Sequence, residues 1–127
     1  MPTGALGQEP RYRNQVMEID GLATEMGTGT CSSSAVTIND HVGLITTEAL
    51  TTAQNAIETI TLTNSKIAVG DIVLVTVANG TNTQGTPMLG LVTPGAGTCT
   101  IKVINKHASA EALNGTLKVG FAVIKAL

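Results

Sequence analysis

The sequence predicts an all-β protein, an antiparallel β-sandwich or jelly-roll-like barrel with an extended N-terminal arm. Three observations carry this. From Ser33 onward, apolar and polar residues alternate in short runs, the period-2 pattern of half-buried strands. Clusters of Gly, Asn, Asp, Pro and Ser separate the runs, giving about seven or eight strands spaced by about 8–15 residues, unlike the longer helical spacers of βαβ units. The composition is rich in small and β-branched residues, with aromatics at 2% and charged residues at 13%, which suits pleated surfaces. A chain of 127 residues suggests one domain, long enough to bury a core without disulfides or a metal.

The elements follow in order. Residues 1–32 are assigned to the arm: Pro2, Gly4, Gly7 and Pro10 are followed by scattered charges with no sustained period, and one short strand is expected near Val16–Ile19. Residues 33–127 are assigned to the sandwich. "SAVTIN" alternates, "NDH" (39–41) turns and "VGLITTE" continues as a strand. "ALTTAQNA" (49–56) is read as a loop with one helical turn at most. In "IETITLTN" (57–64), Ile60 and Leu62 point inward and Thr59, Thr61 and Thr63 outward. "IVLVTVA" (72–78) sets Val73, Val75 and Val77 on one face and Ile72 and Leu74 on the other, so a central strand, or one covered on both sides, is expected. "NGTNTQGT" (79–86) is a polar loop facing solvent, and "PMLGLVT" (87–93) is a strand opened by Pro87, where no ladder N–H is needed. "TCTIKVIN" (98–105) sends Cys99, Ile101 and Val103 inward. "TLKVGFAVIKA" (116–126) sends Leu117, Val119, Phe121 and Val123 to one apolar face. The two "NGT" sites, at 79–81 and 114–116, are read as hairpin-type Asn-Gly turns.

Charge narrows the functional classes. Nine acidic and seven basic residues give a net charge of −2, and six of them (Glu9, Arg11, Arg13, Glu18, Asp20 and Glu25) fall in the first 25 positions. So sparse a charge coat on the rest favours surface covered by a partner or by copies of the same chain, with a Thr/Asn-coated monomer as the alternative. No basic run with interleaved aromatics supports nucleic-acid binding. No apolar run is long enough to span a bilayer, and no secretory leader pattern is present.

Side chains that carry chemistry are few. Asp40-His41 and Ser32-Ser33-Ser34 invite comparison with a hydrolytic triad, but a triad is an arrangement in space, and "NDH" is ordinary turn chemistry. His107 lies in a polar loop beside Lys106, with Glu111 four residues on. Neither histidine belongs to a set spaced like metal ligands. Cys99 is read as a buried free thiol; a Cys31–Cys99 disulfide stays open, because sequence does not give the distance. The Gly-containing stretches match neither a phosphate-binding loop nor a dinucleotide fingerprint. No catalytic residue, metal site or cofactor is expected.

The stretches "GLITTEALTTAQNAIETITLTNSKIAVGDIVLVTVANGTNTQGTP" (43–87) and "VTPGAGTCTIKVINKHASAEALNGTLKVGFAVIKA" (92–126) resemble a β-rich domain of tailed-bacteriophage capsid decoration, or cement, proteins. About two-thirds of the chain takes part, and none of these residues is catalytic. The domain type also resembles the ends of tail fibres and spikes, so a receptor-binding role is the alternative. The resemblance implies a non-enzymatic virion protein, made in the host cytoplasm. It would bind the outside of the head through the major capsid protein, commonly as a homotrimer. The candidate capsid contacts are arm residues Arg11, Tyr12, Arg13, Val16, Glu18 and Ile19. The candidate oligomer interface is Ile72, Leu74, Ala122 and Ile124, with no nucleic-acid or membrane partner.

Overall fold

The computed structural model describes residues 26–126, so the arm residues Arg11, Tyr12, Arg13, Val16, Glu18 and Ile19, and the strand expected near Val16–Ile19, lie outside the described residues. Eight strands follow: β1 (Gly27–Thr30), β2 (Ala35–Thr37), β3 (Val42–Thr46), β4 (Ile57–Thr63), β5 (Ile72–Asn79), β6 (Pro87–Gly95), β7 (Thr98–Asn105) and β8 (Leu117–Ile124). They form two four-stranded sheets, ordered β1-β3-β8-β5 and β2-β4-β7-β6, and pack as a sandwich. The chain changes sheet at every connection except the β6–β7 hairpin. Because β1, β2 and β3 alternate between sheets, β3 returns in the direction of β1, and the β1–β3 and β2–β4 pairs are parallel. The other four pairings are antiparallel.

The inward alternation builds the core. Ile45, Ile60, Leu62, Cys99, Ile101, Leu117 and Val119 are completely buried, and Val103 and Phe121 nearly so. Each aliphatic side chain removed from water in this way stabilises the fold by about 1.5–3 kcal/mol. Phe121, the chain's one phenylalanine, lies over Gly43 of the neighbouring strand; a β-carbon at Gly43 would collide with its ring. Both thiols are free and buried.

Three expectations need correction. The boundary drawn at residue 33 falls inside the sandwich, since β1 already pairs with β3 from Gly27. "GTGT" carries no apolar side chain, and its contribution to packing is a lack of bulk: a β-carbon on Gly29 would clash with Val36 and Ile38 of the facing sheet. Second, β5 is an edge strand, paired only with β8 among the described strands. Two apolar faces suggest a central position, but that place belongs to β8, between β3 and β5. Third, the two NGT sites form no hairpins. They lie on crossings between the sheets and bind each other: Thr81 N donates to Thr116 Oγ1 (2.9 Å), Thr116 N donates to Thr81 Oγ1 (2.9 Å), and Thr83 N donates to Asn114 Oδ1 (2.7 Å). The 79–86 loop is therefore docked, with Asn82 buried beneath it, rather than wholly turned to solvent.

Buried asparagines fasten these crossings. Asn105 is fully buried. Its Nδ2 donates to Thr52 O (3.0 Å) and Glu111 O (2.8 Å), and its Oδ1 accepts from Thr86 N (3.0 Å) and His107 N (3.2 Å). Asn82 donates to Asn79 Oδ1 and Gln84 O and accepts from Asn114 N. A side-chain amide that offers two donors and two acceptor sites suits a buried junction of loops, where unpaired backbone groups are costly.

Candidate interaction surface

The outer faces of the two sheets differ in chemistry. On the second sheet, Thr59, Thr61 and Thr63 of β4 and Thr98 of β7 are exposed, giving a hydroxyl-coated surface. An apolar row, Ile57–Ile104–Met88, occupies one end. On the first sheet, Ile72 and Leu74 of β5 stand opposite Ile124 and Ala122 of β8, with Val42 of β3 next to Ala122. Ile72, Leu74 and Ile124 are 57%, 56% and 48% exposed. The one charged side chain on the outward positions of these four strands is Lys118, whose Nζ donates to Thr46 Oγ1 (2.8 Å) at the far end of the face. A contiguous apolar face of this kind is characteristic of interaction sites.

A shallow groove of about 260 Å³ runs over this face, bounded by Met26 and Val42 on one side and Leu74 and Thr76 on the other, with Gly120 and Ala122 in its floor. Four residues expected at an interface, Ile72, Leu74, Ala122 and Ile124, thus lie together in two adjacent cross-strand rows. Sequence reading missed Met26, which precedes the unrecognised β1, and Val42 and Leu44. The signal for the last two was present: Val42 and Leu44 alternate with buried Ile45 and must point the other way.

Elsewhere, ionisable groups are tied into structure. Ser34, held at φ 61°, donates its N–H to Glu48 Oε2 (2.8 Å), and its hydroxyl contacts Glu58 Oε2 and Glu48 Oε2. Thr52 Oγ1 donates to Glu58 Oε1 (3.3 Å). These glutamates line a hollow of about 390 Å³. The triad comparison finds no support, since the partners of the Ser34 hydroxyl are glutamates, while Asp40 and His41 offer their main-chain carbonyls to Asn64 Nδ2 and Val123 N. Burial, reinforced by Glu48 and Glu58, pushes the Cys31 thiol up to about 11, and burial also raises Cys99, so neither is a thiolate nucleophile at neutral pH. His107 joins two loops through Thr86 Oγ1 (3.0 Å) and Glu111 Oε1 (3.4 Å). Among the described residues, no three His, Cys, Asp or Glu side chains gather as a metal-ligand set. No helix among them is long and apolar enough to cross a membrane.

No protein-family model, curated protein or solved structure matches the chain.

Proposed function

We propose that this chain is a non-enzymatic structural protein of a virion, a capsid decoration or cement protein that binds the outer surface of a tailed-phage head and stabilises it. The observation that carries the reading is the nearly uncharged outer face of the first sheet, with Ile72, Leu74 and Ile124 about half exposed. On this reading the face joins copies of the chain, as a homotrimer, and Ile72, Leu74, Ala122 and Ile124 form the contact. The arm, with Arg11, Tyr12, Arg13, Val16, Glu18 and Ile19, meets the major capsid protein. Covering the exposed half of each large aliphatic contributes only about 1 kcal/mol. Contacts this weak act through number and geometry, as a lattice of repeated sites allows.

Co-sedimentation with undecorated heads tests the function. Saturable binding at high copy number is the expected result. Failure to bind heads, with binding to host cells instead, would assign the chain to a tail fibre or spike. Leu74→Lys tests the interface: the substituted chain should fold and lose self-association, and undisturbed mixed oligomers with wild type would remove Leu74 from the contact.

A further inference from the structure

We infer that the open edge of β5 pairs with the β5 edge of a second copy, antiparallel about a two-fold axis, joining the first sheets of two subunits into one. This goes beyond the face contact proposed above. It uses the backbone of β5 and leaves Ile72 and Leu74 on the outer face. The first argument is where the backbone groups point. Val123 N donates to His41 O (2.7 Å) and Thr47 N donates to Leu117 O (3.0 Å), so the odd-numbered residues of β8 bond to β3 and the even-numbered ones to β5. Ile72, Leu74, Thr76 and Ala78 stand opposite those even positions, and Gly80 N continues the ladder to Thr116 O (2.8 Å). Val73, Val75 and Val77 therefore turn their N–H and C=O groups away from β8, and no strand among the described residues meets them there.

The second argument is a contrast between edges. β1 and β2 are short, with four and three residues, and β6 carries Pro87, Pro94 and a register shift between Leu89 and Val92. Short strands, prolines and bulges all discourage pairing. β5 has none of these guards: it stays in register with β8 over all eight residues and holds no proline and no charge. The third argument is an unfinished core. Val75 and Val77 point inward yet stay half-buried, while Phe121 and Val119 opposite them on β8 are buried. A strand added outside β5 extends the sheet over this margin. A second copy suits the place by its chemistry. With the axis at Val75, that residue meets itself and Val73 meets Val77 of the second copy, so valine packs on valine and no charges collide. The Ile72 and Leu74 side chains of both copies then lie on one continuous outer face. A contact of this kind is two-fold and closes on itself, so it joins a subunit to a neighbour outside any three-fold ring.

Amide exchange of the full chain, followed by NMR at rising protein concentration, tests the inference. In dilute solution Val73, Val75 and Val77 should exchange fast, and Leu74 and Thr76, bonded to β8, slowly. Once sedimentation shows about nine-tenths of the chains paired, exchange through the free tenth should slow the three valines about tenfold. Ile124→Lys, which disrupts the face contact from β8 and leaves β5 intact, should keep this slowing. Val75→Pro lacks an N–H that β8 does not use, so it should fold and abolish the slowing at Val73 and Val77. Fast exchange of the three valines at every concentration overturns the inference. Slow exchange already in dilute solution overturns it too, because the edge is then covered within a single chain. Slowing that vanishes in Ile124→Lys, or survives in a folded Val75→Pro, also overturns it. If Val75→Pro does not fold, the exchange of the wild type and of Ile124→Lys decides. Head co-sedimentation reads the decoration role separately, since this exchange is measured without heads.

Discussion

Replacing Asn105 by Leu is the sharpest test of how the loops are held. Leucine matches asparagine in heavy-atom count and branching, though it is bulkier, and offers no polar atom, so Glu111 O, Thr86 N and His107 N lose their Asn105 partner and Thr52 O keeps only its bond from Leu113 N. Thr86 is exposed and His107 half-buried, so their N–H groups regain water at little cost. Of the two carbonyls, Glu111 O is left unsatisfied, at about 2 kcal/mol, and Thr52 O loses one of its two bonds, at about 1 kcal/mol, so a total near 3 kcal/mol is expected. Over about 100 ordered residues, an unfolding entropy of about 2.1 cal/mol/K per residue converts this to a fall of about 14 °C in Tm. Circular dichroism melting, checked by calorimetry, measures it. Asn105→Asp keeps the acceptors and loses both donors, so it should fall at least as far at neutral pH. A drop below about 4 °C for Asn105→Leu would refute the reasoning, because the four bonds would then be worth less than one ordinary hydrogen bond.

Other predictions concern single sites. The Ala126 N–H, the Lys125 ammonium and the Ala68 N–H hold the Asp71 carboxyl down at about 2 from 3.8, so its stabilisation is complete above pH 4 and fades as pH falls towards 2. Asp71→Asn should lower Tm at pH 7, and its gap from wild type should narrow on acidification; a gap independent of pH would contradict the assignment. Gly43→Ala should cost about 1–3 kcal/mol in urea unfolding through the clash with Phe121, and Phe121→Leu should cost less in that background than in wild type. Cys31 and Cys99 should react with a thiol reagent at pH 8 only as fast as the protein unfolds; rapid labelling of either native thiol would show it to be accessible.

The strands that carry apolar residues were legible because inward alternation is a local property. Ile60, Leu62, Cys99, Ile101, Val103, Leu117, Val119 and Phe121 all point where the period-2 pattern sends them. β1 was illegible for the opposite reason: its packing depends on glycines whose missing side chains admit Val36 and Ile38. The outward pair Ile72 and Leu74 could be read from the pattern, but not the fact that their strand is an edge, since alternation reports faces and not neighbours. The Ser34–Glu48–Glu58 cluster was missed because its members lie 14 and 24 positions apart and meet only when β2 pairs with β4.

The sequence by itself determined an all-β chain, the inward face of most strands, and a sparsely charged surface. Those properties follow from backbone geometry and from counting charges. The tertiary structure decided which strands meet. It made β8 central and β5 an edge, turned two NGT sites into one interlocked junction, and gathered Ile72, Leu74, Ala122, Ile124, Val42 and Met26 on a single face. Strand order and register are set by contacts between residues far apart in the chain, and no local period records them.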